Sequence, residues 1–282
     1  MKIVRILVLV FFIIAVVLHG GYTLHEKFVE DNTPPVITAD NDEIYVSVGV
    51  TDEELLEGMH AEDAKDGDVT DTMVVVSRLD FIQKGTLKVN YAAFDSSNNV
   101  ATYTRKVTYT DYQSPRFSAT TPFRFSETEE SATVLSNVRC EDVLDGDLTA
   151  DIRMTYGSNE GIKYPVVMEV TNSAGDSALA SVNVYLEDRA SLAIPSVALD
   201  EYIVYTKLGQ SVNPQEHVIG IFQNSKVTRF SENTSYSMEN VVWDTSKVDY
   251  DKPGEYIITY GLIDNEGETL NNTELYLIVE ED

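Results

Sequence analysis

Apolar residues form one unbroken run near the start of the chain and alternate with polar residues over much of the remainder. The segment Ile6–Leu18 is continuously apolar and follows Lys2 and Arg5. This layout is typical of a secretory signal or a signal anchor. Continued to Leu24, the stretch approaches the ~20 residues that cross a bilayer, and no small-residue cleavage site follows it. We therefore expect residues 1–24 to form an uncleaved transmembrane helix with the basic residues in the cytoplasm. The alternative is a cleaved signal and a secreted body.

The rest of the chain, after a linker at residues 25–34, has the two-residue periodicity of strands. In Gly85–Phe94, for example, Leu87, Val89 and Tyr91 share one face, and polar residues occupy the other. Pairs of such runs joined by short polar turns indicate hairpins. The only helix-compatible stretch is Asp52–Met59. Many short strands with regular turn signals predict an all-β fold of β-sandwiches.

A repeat divides this region into units of about 80 residues. The step Asp66-Gly-Asp68 recurs 79 residues later as Asp145-Gly-Asp147, with matching strand and turn patterns around both copies. We predict domains at residues 35–111, 112–189 and 190–282. The third lacks the Asp-Gly-Asp element and is a divergent copy.

The residues of the first unit resemble the bacterial immunoglobulin-like repeats of surface proteins. They begin with Pro35-Val-Ile-Thr38, continue through Ala61-Glu-Asp-Ala-Lys-Asp-Gly-Asp-Val-Thr70, and end with Gly85–Tyr109, in the order that this family shows. The second unit resembles the family in part and the third only in its second half. The resemblance implies tandem immunoglobulin-like β-sandwich domains with a role as spacer, adhesive unit or scaffold at a cell surface.

Charge and cysteine content narrow the partners and the compartment. The chain has 20 Lys and Arg against 47 Asp and Glu, a net charge of −27. This charge repels phosphate backbones, so we expect no nucleic-acid binding, and the body should stand away from anionic lipid. Cys140 is the single cysteine, so an intrachain disulfide is excluded. An exported protein without disulfides favours a bacterial source.

The Asp-Gly-Asp turns are the sharpest chemical feature. Oxygen ligands clustered in this way suit Ca²⁺, although the spacing is not that of an EF-hand loop. The competing interpretation, which the Asp-Gly step favours, is a tight turn held by carboxylates bonded to backbone N–H groups. The candidate metal ligands are Asp63, Asp66, Asp68, Asp142, Asp145 and Asp147. Calcium is the one cofactor that the sequence suggests.

No G-x-S-x-G motif, Walker loop or dinucleotide fingerprint occurs in the sequence, and nothing in it positions or activates Cys140 as a nucleophile, so we expect no enzymatic activity. Trp243 is predicted to be buried in a sandwich core rather than exposed to stack on a sugar. We expect a membrane-anchored extracellular scaffold or adhesion protein of a bacterial cell surface, with a protein or surface glycan as partner. The alternative is a module that binds carbohydrate or cell-wall polymer. The oligomeric state stays open.

Overall fold

The computed structural model describes residues 2–29, 31–128, 136–232 and 235–281. The chain divides into two compact units, Met1–Tyr112 and Gln113–Asp282. The first contains a long helix and one pair of sheets, and the second contains two pairs of sheets. The three predicted domain boundaries stay a prediction.

The N-terminal helix α1 spans Lys2–Val29, which is longer than the predicted 24 residues. Its segment Ile3–Tyr22 is long and apolar enough to cross a membrane, and none of that segment is buried inside the protein. Exposed side chains such as Phe11, 79% exposed, would be costly in water. By length and composition this segment fits either a membrane anchor or a signal sequence.

The first sandwich packs a three-stranded sheet, β1-β3-β4, with a four-stranded sheet, β2-β7-β6-β5, in which only β2 and β7 are parallel. Its strands are β1 Val36–Ala39, β2 Glu43–Val46, β3 Met59–Asp63, β4 Gly67–Asp68, β5 Val74–Arg78, β6 Thr86–Phe94 and β7 Val100–Tyr109. Helix α2 is one turn, Asp52–Leu55, started by a capping box between Thr51 and Glu54. This turn lies within the helix-compatible stretch Asp52–Met59.

The second unit repeats this topology twice, with sheets β8-β10-β11 and β12-β13-β14-β9, then β15-β17-β18 and β16-β21-β20-β19. The first of these sandwiches contains β8 Arg116–Ala119, β9 Arg124–Ser126, β10 Val138–Asp142, β11 Gly146–Asp147, β12 Arg153–Tyr156, β13 Lys163–Thr171 and β14 Ser177–Glu187. Helix α3, Arg189–Leu192, leads to the last sandwich. That sandwich contains β15 Ser196–Leu199, β16 Ile203–Lys207, β17 Val218–Gln223, β18 Lys226–Arg229, β19 Val241–Asp244, β20 Gly254–Ile263 and β21 Thr269–Glu280. Short 3₁₀ turns lie at Thr70–Thr72, Thr149–Asp151, Pro214–His217, Phe230–Glu232 and Met238–Asn240.

Alternation along the strands places one face of each sheet in a core. On β6, Leu87, Val89 and Tyr91 are at most 3% exposed, whereas Lys88 between them faces solvent. The Tyr91 hydroxyl donates to the Leu55 carbonyl at 3.1 Å, which ties α2 to the sheet. The prediction of an all-β fold of immunoglobulin-like sandwiches after an apolar helix is confirmed.

The two sandwiches of the second unit share one continuous hydrophobic core. Phe123, from the first of them, packs edge-on against Tyr276 of β21 at 5.7 Å between ring centroids. The backbone N–H of Tyr202 donates to the Ala119 carbonyl at 2.7 Å. These contacts combine apolar burial with directional hydrogen bonds, so the pair is joined by packing and not only by a covalent connection.

Candidate functional site

The Asp-Gly-Asp element of the first sandwich is a tight turn between β3 and β4. Gly67 has φ of +76°, a conformation that a residue without Cβ adopts without strain. Asp63 Oδ1 accepts the backbone N–H groups of Lys65 and Asp66 at 2.8 and 2.9 Å. One oxygen of Asp63 therefore builds the turn, as carboxylates beside Asp-Gly steps commonly do.

The other two aspartates of this turn also have hydrogen-bond partners. Asp66 accepts the backbone N–H and the hydroxyl of Ser96 at 2.7 and 2.9 Å, which joins the turn to the β6–β7 loop. Asp68 Oδ1 accepts the Thr70 N–H at 3.0 Å. Hydrogen bonds from Ser96 and Thr70 lower the pKa values of Asp66 and Asp68, respectively. Both side chains act locally as turn and loop supports.

The second copy has the same arrangement. Oδ1 of Asp142 accepts from Leu144 N and Asp145 N, Asp145 accepts from Ser173, and Asp147 accepts from Thr149 N. Turn chemistry accounts for Asp66, Asp68, Asp145 and Asp147 in both copies. Asp63 and Asp142 differ from these four because they are buried, at 3% and 7% exposure.

A different set of carboxylates converges in the first sandwich. One carboxylate oxygen from each of Asp31, Asp63 and Asp95 lies within 4.8 Å of the others. Asp31 belongs to the linker, Asp63 ends β3, and Asp95 directly follows β6. Of these three residues, only Asp63 was predicted from the sequence as a metal ligand. The acidic residues at the ends of β3 and β6 could have indicated this cluster. The packing of the linker against this end of the sandwich has no sequence signature.

The partners within this cluster are few. Asp31 Oδ1 accepts the N–H and hydroxyl of Thr33 at 3.0 and 2.6 Å, and these bonds lower the pKa of Asp31. Asp95 accepts the backbone N–H and the amide Nδ2 of Asn99 at 2.7 and 2.6 Å. Oδ2 of Asp63 and Oδ2 of Asp31 are buried and have no hydrogen-bond partner among the described residues.

Cys140, His60 and His217 are not part of this carboxylate cluster. Cys140 is fully buried on β10, and burial raises the pKa of its thiol to about 12. A thiol in that environment packs as a small apolar group and supplies no thiolate. The imidazoles of His60 and His217 each lie beside one carboxylate, Asp40 and Asp200, at 3.2 and 3.0 Å.

Trp243 lies on β19, at the edge of its sheet, and is 39% exposed. The expectation that it is buried was wrong. Its apolar neighbour Val242 is also exposed, at 43%. The apolar run Val241-Val-Trp243 therefore indicates an edge strand with only its first residue in the core.

A partly buried polar network lies in the second unit, beside a cavity of about 370 Å³. Glu274 on β21 accepts from Asn183 Nδ2 at 2.8 Å, Tyr185 OH at 2.9 Å and Tyr276 OH at 2.6 Å. Both tyrosines have a raised pKa because burial disfavours the phenolate, and Glu274 adds to the effect. The network links β14 of one sandwich to β21 of the other.

Comparison with solved structures finds chains of low sequence identity, including two from bacteria. A Clostridium perfringens ZmpB fragment, comprising CBM51-2 in complex with GlcNAc and INT domains, is 17% identical, with 51% of this chain and 26% of that chain covered, at a TM-score of 0.22. The sialic acid binding region of a Streptococcus sanguinis adhesin is 11% identical, with 89% of this chain and 79% of that chain covered, at a TM-score of 0.19.

Sequence comparison gives one curated relative and one family. The pesticidal crystal protein Cry22Aa of Bacillus thuringiensis is 27% identical over 226 residues. The match covers 77% of this chain and 29% of that protein, so the chain spans less than a third of its relative's length. The family described as bacterial surface protein, Ig-like domain, matches residues 37–109, which include β2–β7 and most of β1. Residues 37–109 are therefore a bacterial surface-protein Ig-like domain.

Proposed function

We propose that this chain is a membrane-anchored scaffold of a bacterial cell surface, which holds its immunoglobulin-like sandwiches outside the cell for adhesion-type contacts, and that it is not an enzyme. The observation that carries the proposal is the exposed apolar segment Ile3–Tyr22 directly before a bacterial surface Ig-like domain. Lys2 and Arg5 at its start favour a cytoplasmic N-terminus.

The shared core of the second unit supports a mechanical role. Two sandwiches that bury side chains in one cluster resist bending at their junction, because bending would expose apolar surface at about 25 cal/mol per Å². A stiff pair presents a distal surface at a defined distance from its attachment point. The fully buried thiol of Cys140, with its raised pKa, supports a structural role for the one cysteine.

Cell fractionation tests the anchor and its orientation. The full chain with a C-terminal tag should sediment with membranes, retain residues 1–24 by mass spectrometry, and lose the tag when protease is added to intact spheroplasts. The matched control is Leu18→Ala with Gly20→Ala, which places small residues where a signal peptidase cuts and should release the body into the medium. A wild-type chain found in the cytosol, or protected from external protease, would refute the proposal.

A second function, binding of carbohydrate or cell-wall polymer, is favoured by the exposure of Trp243. An accessible indole on an edge strand offers an apolar face on which a sugar ring can stack. Purified cell-wall sacculi should retain the full chain, and Trp243→Ala should abolish that retention.

The matched control for this test is Tyr156→Ala, which removes an aromatic side chain that is 52% exposed on β12 of the neighbouring sandwich. It should leave the binding unchanged. Equal retention of wild type and Trp243→Ala would remove this candidate function.

A further inference from the structure

Three carboxylates meet at one end of the first sandwich. Two of their oxygens have no hydrogen-bond donor among the described residues. Asp63 and Asp95 are 3% and 6% exposed, and Asp31 of the linker closes the group. Ionised carboxylates at this separation repel one another, and burial adds a desolvation cost. An arrangement of this kind is stable when a cation balances the charge.

The unpartnered oxygen of Asp63 is an independent indication of a ligand. Nearly all buried polar atoms in native proteins have a hydrogen-bond partner. Oδ1 of Asp63 accepts two backbone N–H groups, whereas Oδ2 is inaccessible to solvent and has no partner within the described part of the chain. Oδ2 of Asp31 is in the same situation.

The second sandwich shows how the same position is satisfied without an ion. Asp142 takes the place of Asp63 there, and Asn172 takes the place of Asp95. Nδ2 of Asn172 donates to Asp142 Oδ2 at 3.2 Å. Between the two copies, one carboxylate has been exchanged for an amide, and the exchange supplies the donor that Asp63 lacks.

We propose that Asp31, Asp63 and Asp95 bind a divalent cation, Ca²⁺ in particular, which attaches the linker to this end of the first sandwich. Oxygens on opposite sides of one Ca²⁺, each at 2.3–2.6 Å from it, lie about 5 Å apart, and the three carboxylates lie within 4.8 Å of one another. Carboxylates are hard ligands, and water completes a shell of six to eight oxygens. Asp66 and Asp68 lie outside this set because they are not part of the group whose carboxylate oxygens converge within 4.8 Å of one another.

The site would stiffen the connection to the apolar helix. Helix α1 ends at Val29, two residues before Asp31. Asn99 Nδ2 already donates to the Asp31 carbonyl at 2.9 Å, which positions the linker at this end of the sandwich. A bound ion adds a second attachment at the same residue, so its occupancy would control how firmly the sandwich is held near its membrane anchor.

The competing source of positive charge is Lys65, in the β3–β4 turn, whose charge contributes to the lowered pKa of Asp31. If the ammonium group alone balances the cluster, added Ca²⁺ will have no effect. The experiment separates these two cases.

The test compares the full chain in detergent micelles with its Asp63→Asn variant, by isothermal titration calorimetry and scanning calorimetry. In this variant the amide oxygen keeps both turn hydrogen bonds, and only the unpartnered oxygen is replaced by a donor. The wild type should bind one Ca²⁺ with a Kd of about 0.1–1 mM, as extracellular modules do. At about 10 mM Ca²⁺ this raises the melting midpoint of the first sandwich by roughly 6–20 °C. Mg²⁺, which demands smaller octahedral geometry, should bind more weakly.

The variants give a crossing pattern. In EDTA, Asp63→Asn should melt at or above the wild-type midpoint because it removes a buried unpartnered charge. In Ca²⁺ it should melt below the wild type. Asp95→Asn should also lose the calorimetric signal, and Asp68→Asn should keep it. The proposal is overturned if the wild type binds no Ca²⁺, if binding survives Asp63→Asn and Asp95→Asn, or if Asp68→Asn abolishes it.

Discussion

The buried ion pair of Arg124 and Glu187 gives a quantitative test of the shared core in the second unit. Arg124 Nε and Nη2 donate to the two carboxylate oxygens of Glu187 at 3.0 and 2.6 Å, and Nη1 donates to Ser196 Oγ at 2.8 Å. The side chains are 5% and 6% exposed. Ser196 begins the last sandwich, so the guanidinium joins both sandwiches.

Arg124→Met should strongly destabilise the second unit. It leaves the Glu187 carboxylate buried without its partner, which costs about 3–5 kcal/mol. Unfolding entropy of ~2.1 cal/mol/K per residue over about 170 residues converts this cost into a fall of roughly 8–14 °C in the melting midpoint. The double variant Arg124→Met with Glu187→Leu should recover most of the loss, because apolar residues of similar volume replace buried ion pairs with little cost.

Trp243, the single tryptophan, lies in this unit, so its fluorescence reports the transition of the second unit within the full chain. Arg153→Met removes an exposed arginine from β12 and serves as the control, with an expected change within about 0.5 kcal/mol. The reasoning is refuted if Arg124→Met shifts the midpoint no more than Arg153→Met does. A double variant as unstable as the single one would also refute it.

Three further predictions concern single positions. Cys140 should resist maleimide at pH 8 in the folded chain and react after denaturation, because burial raises the pKa of its thiol to about 12; rapid labelling of the folded protein would contradict this. Gly220→Ala should unfold the last sandwich as judged by Trp243 fluorescence, since the added Cβ would lie 2.2 Å from the Thr228 carbonyl oxygen, whereas Gly49→Ala in the first unit, which meets no atom within 4 Å, should be near neutral by scanning calorimetry. Hydrogen bonds from the Ser47 hydroxyl and the Val48 N–H lower the pKa of Asp111, so this group stabilises the fold above the unfolded pKa of about 3.9 and that contribution is lost as pH falls through the lower folded value. Calorimetry between pH 7 and pH 2 should therefore show the contribution of Asp111 being lost below about pH 4, and Asp111→Asn should make the decline of stability in that range shallower in the first unit.

The sequence predicted the fold well where the strands are long, as in the hairpins β6–β7, β13–β14 and β20–β21. On β6 the alternation of Leu87, Val89 and Tyr91 with polar residues is sufficient to identify the buried face. It failed at Trp243, where three consecutive apolar residues resemble a core strand but lie at a sheet edge. Periodicity identifies which residues share a face, but it does not indicate whether another sheet covers that face.

The divergence of the third copy also has a local physical reason. The Asp-Gly-Asp turn is replaced there by a two-residue hairpin between β17 and β18. Asn224 and Ser225 both have positive φ, 52° and 59°, the geometry of a type I′ turn. The loss of the acidic element is visible in the sequence. The type I′ turn could not be predicted from it, because serine is uncommon at positive φ.

The loops that follow β6, β13 and β20 are equivalent in the three sandwiches. Comparing them shows which hydrogen bonds of the first loop serve only to form the turn. Asp95, Asn172 and Asp264 each accept loop N–H groups through Oδ1, at 2.7–3.1 Å, so turn formation is common to all three. That requirement is met equally by an amide and a carboxylate, and it cannot explain why the first copy has a second charge beside Asp63. The additional carboxylate costs stability in the absence of an ion. This carboxylate lies next to the linker that follows the apolar helix, so the proposed cation dependence concerns the first sandwich. The two sandwiches of the second unit depend instead on their shared core.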